Sequence, residues 1–182
     1  MRTRWTLAML AAGALAWTVI AAEMPWLVAD GAIFQHDAAS CAADAKAADL
    51  DFMLKDIEDQ DVSLANYKGQ VILLDFWATW CAPCKIEIPW FNEFQEKYGE
   101  QGFQVIGVSV DDTVDRLRPY AAQMKMNYVI LQGLNRDDIL DAYGPMIGLP
   151  VTTLISREGQ ICSTHVGLVS KESLEEQIKA LL

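Results

Sequence analysis

Val71-Ile72-Leu73-Leu74-Asp75-Phe76-Trp77-Ala78-Thr79-Trp80-Cys81-Ala82-Pro83-Cys84-Lys85 decides the fold, because an apolar strand runs directly into a pair of cysteines that open a helix. Residues 71–77 form a nearly continuous apolar run rich in β-branched and aromatic side chains, the pattern of a strand buried on both faces. Downstream, Ile88, Phe91, Phe94 and Tyr98 recur at helical spacing, so an amphipathic helix follows. Cys81 then stands at the N-terminal end of that helix, where unpaired N–H groups and the macrodipole favour a thiolate over a thiol. Pro83 suits the first turn, where its missing N–H removes no helical bond. Lys85 adds a nearby positive charge. A Cys-x-x-Cys pair by itself also fits zinc sites and structural disulfides; the strand-to-helix context makes this one a reversible dithiol.

The chain has 182 residues, enough for one well-packed domain and an N-terminal extension. Arg2 and Arg4 precede an uncharged stretch from Trp5 to Ala22, which reads as an export segment. Its 18 residues lie between a long signal-peptide core and a short membrane span, so residues 1–22 are read as a signal peptide or an N-terminal membrane anchor. Either places the domain outside the cytoplasm, in a periplasmic or similar compartment. Without residues 1–22 the net charge goes from −11 to −13, which argues against nucleic acid as a partner. Residues 23–49, rich in Ala and Asp with little periodicity, read as a partly helical linker, and residues 50–182 as the domain.

Within the domain the patterns predict strands at Phe52 to Leu54, Val71 to Trp77, Phe103 to Val110, Tyr128 to Leu131, Val151 to Ile155 and Gln160 to Val166. Helices follow the cysteines, follow Asp112 as a cap with Val114, Leu117, Ala121 and Met124 on one face, span Asp137 to Tyr143, and end the chain with Leu174, Ile178 and Leu181 on one face. This alternation, closed by a hairpin and a helix, implies an α/β domain around a mixed sheet.

Dithiol exchange requires an exposed nucleophile, a resolving thiol, a way to move protons and a surface for an extended substrate. Cys81, nearest the helix terminus, is the candidate nucleophile and Cys84, one turn inside, the resolving thiol. Asp75 is an acid inside an apolar strand, where burial should raise its pKa, and is the candidate proton acceptor for Cys84. Glu87 lies three residues beyond Cys84 on the same helix face and can act on the thiol electrostatically, although the spacing also fits a solvated glutamate. Pro89, mid-helix, should kink or loosen it. Pro150, before a strand, permits a cis bond, and Leu149 could then offer backbone groups to a bound peptide.

Taken together, residues 75–85, Pro89 eight residues after Cys81, and Leu149-Pro150 resemble the thioredoxin superfamily. Glu87-Ile88-Pro89, the Val151-Thr152-Thr153-Leu154-Ile155 strand and the extra helix and strand between Asp111 and Leu131 are most similar to its extracytoplasmic TlpA/ResA branch. The resemblance covers about Asp49 to Leu182. It implies a thioredoxin-like α/β fold with a central mixed β-sheet flanked by helices, and a helix and strand inserted between the active-site βα unit and the cis-proline strand. It further implies that Cys81 attacks, Cys84 resolves, Asp75 carries a proton, Glu87 tunes the thiols and Pro150 faces the disulfide in cis. Trp80, Leu149, Pro150, Gly167 and Leu168 would line the substrate groove. Such proteins are typically membrane-tethered reductants of apocytochrome c or other extracytoplasmic disulfides, with no cofactor or metal, recharged by a membrane electron donor of the DsbD/CcdA kind. Residues 5–22 would supply the tether.

Two further cysteines, Cys41 and Cys162, make the total even in a compartment that permits disulfides. A structural bridge between them remains open, as does a buried Cys162 beside a free or partner-linked Cys41. A peroxidase would use a Pro-x-x-x-Thr-x-x-Cys arrangement that is missing. The alternative class is a module in which Cys81 and Cys84 bind Cu(I) or reduce the thiols of a copper site, with only His36 and His165 available to add imidazole. A second cysteine pair with zinc-ligand spacing is absent.

Overall fold

The computed structural model describes residues 41–144 and 146–182. The export segment and most of the linker, residues 1–40, lie outside them, as does His36. Among the described residues no helix is long and apolar enough to cross a membrane.

A two-stranded antiparallel hairpin, β1 (Met53–Lys55) and β2 (Asp61–Ser63), precedes the main sheet. Then come β3 (Val71–Trp77), α1 (Ala82–Tyr98), β4 (Phe103–Ser109), α2 (Val114–Met124), β5 (Val129–Gln132), α3 (Asp137–Tyr143), β6 (Val151–Ile155), β7 (Ile161–Val166) and α4 (Lys171–Leu181). The five-stranded sheet has the order β5-β4-β3-β6-β7. β3, β4 and β5 are parallel, while β6 runs antiparallel to β3 and β7 antiparallel to β6. This is the mixed α/β architecture expected, with α2 and β5 as the inserted helix and strand.

All seven residues of the central strand β3 are buried, which is why they read as an unbroken apolar run rather than an alternating one. Their period of two still sorts them. Val71, Leu73 and Trp77 pack with Ile88, Phe91 and Phe94 of α1, Leu117 of α2, and Leu174 and Ile178 of α4. Ile72, Leu74 and Phe76 pack on the other face with Leu54 of β1, Ile139 and Tyr143 of α3, and Ile155 of β6. By this alternation Asp75 belongs to the α1 face.

Several elements depart from the sequence reading. The first strand begins one residue later than expected, and β2, only three residues long, has no pattern of its own. α1 continues from Ala82 to Tyr98 through Pro89, although a proline there leaves the Lys85 carbonyl without its usual donor. Asp112 does not cap α2. Thr113 occupies the N-cap position without a side-chain bond, and the buried Asp112 carboxylate accepts from the Thr79 amide (2.7 Å), the Thr79 hydroxyl (2.5 Å) and the Ser109 hydroxyl (3.0 Å). Three inward donors outweigh the single amide that a cap would satisfy.

Residues 41–49 form no helix; they lie along the start of β7. Ala47 bridges Gln160, the Ala48 amide donates to the Gly159 carbonyl (2.8 Å) and the Ile161 amide donates to the Lys46 carbonyl (2.8 Å). Cys41 and Cys162 are joined as a disulfide, with Cα atoms 4.2 Å apart and a sequence separation of 121. A link of that span encloses nearly the entire domain and restricts its unfolded chain. Cys162→Ser should therefore lower unfolding stability by about 2–4 kcal/mol in urea titration. Thiol counting on the denatured, oxidised wild type should find no free cysteine.

Candidate active site

Parallel pairing puts the C-terminal ends of β3 and β4 at one edge of the sheet, and the Ala78-Thr79-Trp80 turn delivers Cys81 to the start of α1. Cys81 is the N-cap: its Sγ accepts from the Cys84 amide at 3.2 Å, and a proline sits within the first helical turn. This satisfies one of the unpaired amides at the helix start. Cys81 and Cys84 are joined as a disulfide with Cα atoms 5.3 Å apart. The sequence reading required an exposed Cys81, whereas in this oxidised state it is 2% exposed, hardly more than Cys84. Capping turns the sulfur inward onto the first turn, so the two sulfurs differ by position on the helix rather than by exposure.

Behind the pair lie two buried carboxyl groups. Asp75, 2% exposed, accepts from the Thr152 hydroxyl of β6 at 3.2 Å. Burial holds its pKa well above the usual carboxylate range; the nearby Glu87 pushes it further up and the Thr152 bond pulls partly back. Glu87 is fully buried on α1, on the face that carries Cys84 one turn earlier, and among the described residues neither of its oxygens has a partner in hydrogen-bonding geometry. Burial raises its pKa to about 7, with the Val169 amide opposing part of that rise. It is therefore not the solvated helix glutamate that its spacing also allowed.

The neighbours of Asp75 across the sheet are Gly107 on β4 and Thr152 on β6. A Cβ on Gly107 would lie 2.9 Å from Trp77 Nε1 and 3.3 Å from the Tyr128 ring, so only glycine lets those two side chains close over the strand there. Tyr128 is itself buried, and burial followed by the charges of Asp75, Tyr120 and Glu87 raises its pKa. Its ring meets Phe91 of α1 edge-on, with centroids 6.3 Å apart.

The expected groove residues fall at the same end of the sheet. Leu149-Pro150 is cis, and the Gly167 amide donates to the Pro150 carbonyl at 2.8 Å, tying the end of β7 to the start of β6. Gly167 has φ +82°, a conformation that favours glycine. Leu149 is partly buried, while Leu168 and Trp80 are exposed. Trp80 Nε1 donates to Asp111 Oδ2 at 2.8 Å. His165 contacts Gln177 Oε1 through Nε2 at 3.0 Å. Among the described residues no group of three or more His, Cys, Asp or Glu is arranged to hold a metal.

Sequence reasoning missed Thr152, Gly107, Tyr128 and the Asp111-Asp112 doublet. The doublet at a strand end and the polar Thr152-Thr153 inside a buried strand were visible signals. Gly107 and Tyr128 were not, because their importance comes from cross-strand register.

Residues 45–164 match the AhpC/TSA family. The chain is 32% identical over 130 residues to the thiol-disulfide oxidoreductase ResA of Bacillus thuringiensis subsp. konkukian, covering 71% of this chain and 74% of that relative. It is also similar to the solved structure of a thiol:disulfide interchange protein DsbE from Chlorobium tepidum, at 35% identity and a TM-score of 0.68 over 79% of this chain and 100% of that one. StoA from Bacillus subtilis aligns with a TM-score of 0.58 at 27% identity, over 69% of this chain and 94% of that one. Fold, helix-opening dithiol and relatives agree: the chain belongs to the AhpC/TSA family within the thioredoxin superfamily, as a thiol-disulfide oxidoreductase of the ResA and DsbE type.

Proposed function

We propose that this oxidoreductase works outside the cytoplasm as a reductant of protein disulfides, apocytochrome c among the candidate clients, with electrons supplied by a membrane donor of the DsbD/CcdA kind and residues 5–22 as export segment or tether. The observation that carries the direction is the pair of buried carboxyl groups, Glu87 one turn beyond Cys84 and Asp75 on the sheet face that α1 covers. Negative charge in that low-dielectric site disfavours a neighbouring thiolate, which favours the disulfide and makes the dithiol a better electron donor. A strong oxidant needs the opposite, a stabilised reduced form.

In the forward reaction the Cys81 thiolate attacks one sulfur of the client disulfide. A Cys81–client bond forms, the client S–S bond breaks, and the departing client thiolate takes a proton. Asp75 or Glu87 in its charged form then accepts the Cys84 proton, and the resulting thiolate attacks Cys81 Sγ. The mixed disulfide breaks, the second client sulfur leaves as a thiolate that takes a proton from solvent or from the carboxyl group that accepted the Cys84 proton, and the Cys81–Cys84 bond retains the oxidation. A carboxyl group poised near pH 7 suits this exchange because it can take up and release the proton under ambient conditions.

Cys84→Ser should accumulate clients as mixed disulfides on Cys81 in the native host, whereas Cys81→Ser should abolish both trapping and disulfide reduction. Trapping that survives loss of Cys81 would refute these roles. Equilibration with glutathione should give a reduction potential below about −200 mV; a value near −120 mV would overturn the reducing direction.

Glu87 also predicts a pH signature. Its folded value of about 7 lies above its ordinary 4.5, so folding retains a proton between those limits and its contribution is full below pH 4.5 and lost as pH rises through 7. That shift corresponds to about 3 kcal/mol. Unfolding of Glu87→Gln across pH 4.5 to 8 should show a correspondingly flatter decline than wild type; parallel curves would mean that Glu87 is charged in the folded protein.

A further inference from the structure

The loop that carries Cys81 is gripped at two consecutive positions by two consecutive residues from another loop. Asp112 is buried and holds Thr79 through both its amide and its hydroxyl, with the Ser109 hydroxyl fixing the same carboxylate from β4. Next to it, Asp111 receives the Trp80 indole N–H. One aspartate anchors backbone while the other holds a side chain that is 56% exposed immediately before the attacking cysteine.

A large aromatic residue left that exposed would ordinarily sample several staggered rotamers. Its single polar atom is instead tied to a residue whose backbone is fixed by the adjacent buried carboxylate. The indole face is thereby presented to solvent in one orientation. Ile86, Ile147 and Leu168 are likewise exposed apolar side chains, at 49%, 83% and 47%. Ile86 follows Cys84 on α1, Ile147 precedes the cis-proline and Leu168 follows the Gly167 link.

We propose that Asp111 is a positioning residue, holding Trp80 as a preset platform for an extended apolar segment beside the client's cysteine and so favouring protein disulfides over small ones. The proposal rests on the reading of Trp80 as a substrate-binding residue. Presetting limits the ordering that a client must impose on binding, and its loss lowers apparent affinity by the fraction of time the indole spends in the competent rotamer. A small disulfide reaches the sulfur without contacting the platform.

The test compares insulin with hydroxyethyl disulfide as oxidised substrates for the full chain, with excess dithiothreitol re-reducing the Cys81–Cys84 pair and the uncatalysed rate subtracted, using Asp111→Ala and Asp111→Asn. With about three to five rotamers open to the freed indole, Asp111→Ala should raise the KM for insulin roughly three- to fivefold at unchanged kcat. It should leave hydroxyethyl disulfide reduction unaltered. Asp111→Asn, which keeps an acceptor oxygen, should restore most of the insulin KM. The Trp80 indole N–H resonance, assigned by its loss in Trp80→Phe, should exchange faster with solvent in Asp111→Ala and stay protected in Asp111→Asn. An unchanged insulin KM with a freed indole overturns the proposal, as does an equal loss on both substrates, which would make the contact a general support of the loop. Trp80→Ala separates the two layers: an unchanged insulin KM in that variant removes the docking role of Trp80 itself, whatever Asp111 does to the indole.

Discussion

Desolvation of two carboxyl groups behind the cysteine pair is the constraint around which the site is built. Asp75 has one hydrogen bond and, among the described residues, Glu87 has none of good geometry, with only the Val169 amide acting weakly on it, and an ionised carboxylate in such surroundings is unfavourable by several kcal/mol. Burial therefore raises the pKa of both groups above the ordinary carboxylate range, and the architecture follows from holding them there. β3 must be buried on both faces to sequester Asp75, which requires a strand on either side and helices above and below. α1 must pack its Cys84 and Glu87 face onto that sheet, on the side to which Asp75 belongs. Gly107 and Thr152, the cross-strand neighbours of Asp75, supply respectively the space for Trp77 and Tyr128 and the one hydroxyl.

The parts of this arrangement that are local in sequence could be read from it. The apolar run of β3, the helical spacing of α1, the odd acid at position 75 and the glutamate one turn beyond Cys84 each have a pattern of their own. What could not be read depends on which strands lie side by side. Asp112 looked like a helix cap because Asp followed by a helical pattern usually is one; only the parallel pairing of β3 with β4 brings Thr79 and Ser109 to its carboxylate. Residues 41–49 looked like a free linker because their composition is bland, yet backbone pairing to β7, which any sequence can make, pins them. β2 was illegible for the same reason, being defined by its partner rather than by its residues.

Register also explains why two turns with different roles meet at one edge of the sheet. Because β3 and β4 are parallel and adjacent, the turn after each opens at the same edge of the sheet. The turn after β3 carries the chemistry, and the turn after β4 carries the aspartates that hold it. A substitution in the second turn can thus act on the first across 31 residues of sequence with no change in the cysteines.

The two sulfurs of one disulfide experience opposite fields. Cys81 caps the 17-residue α1, where unpaired amides and the positive end of the helix dipole favour a thiolate. Cys84, one turn inside, shares its helix face with Glu87, on the side of α1 that packs on the sheet. On the proposed reading this asymmetry orders the reaction. Cys81 can remain charged while it awaits a client, and Cys84 stays a neutral thiol until the mixed disulfide exists for it to attack. Exposure need not distinguish nucleophile from resolving thiol; in the oxidised protein it does not, and on the proposed reading the electrostatics of one helical turn does so instead.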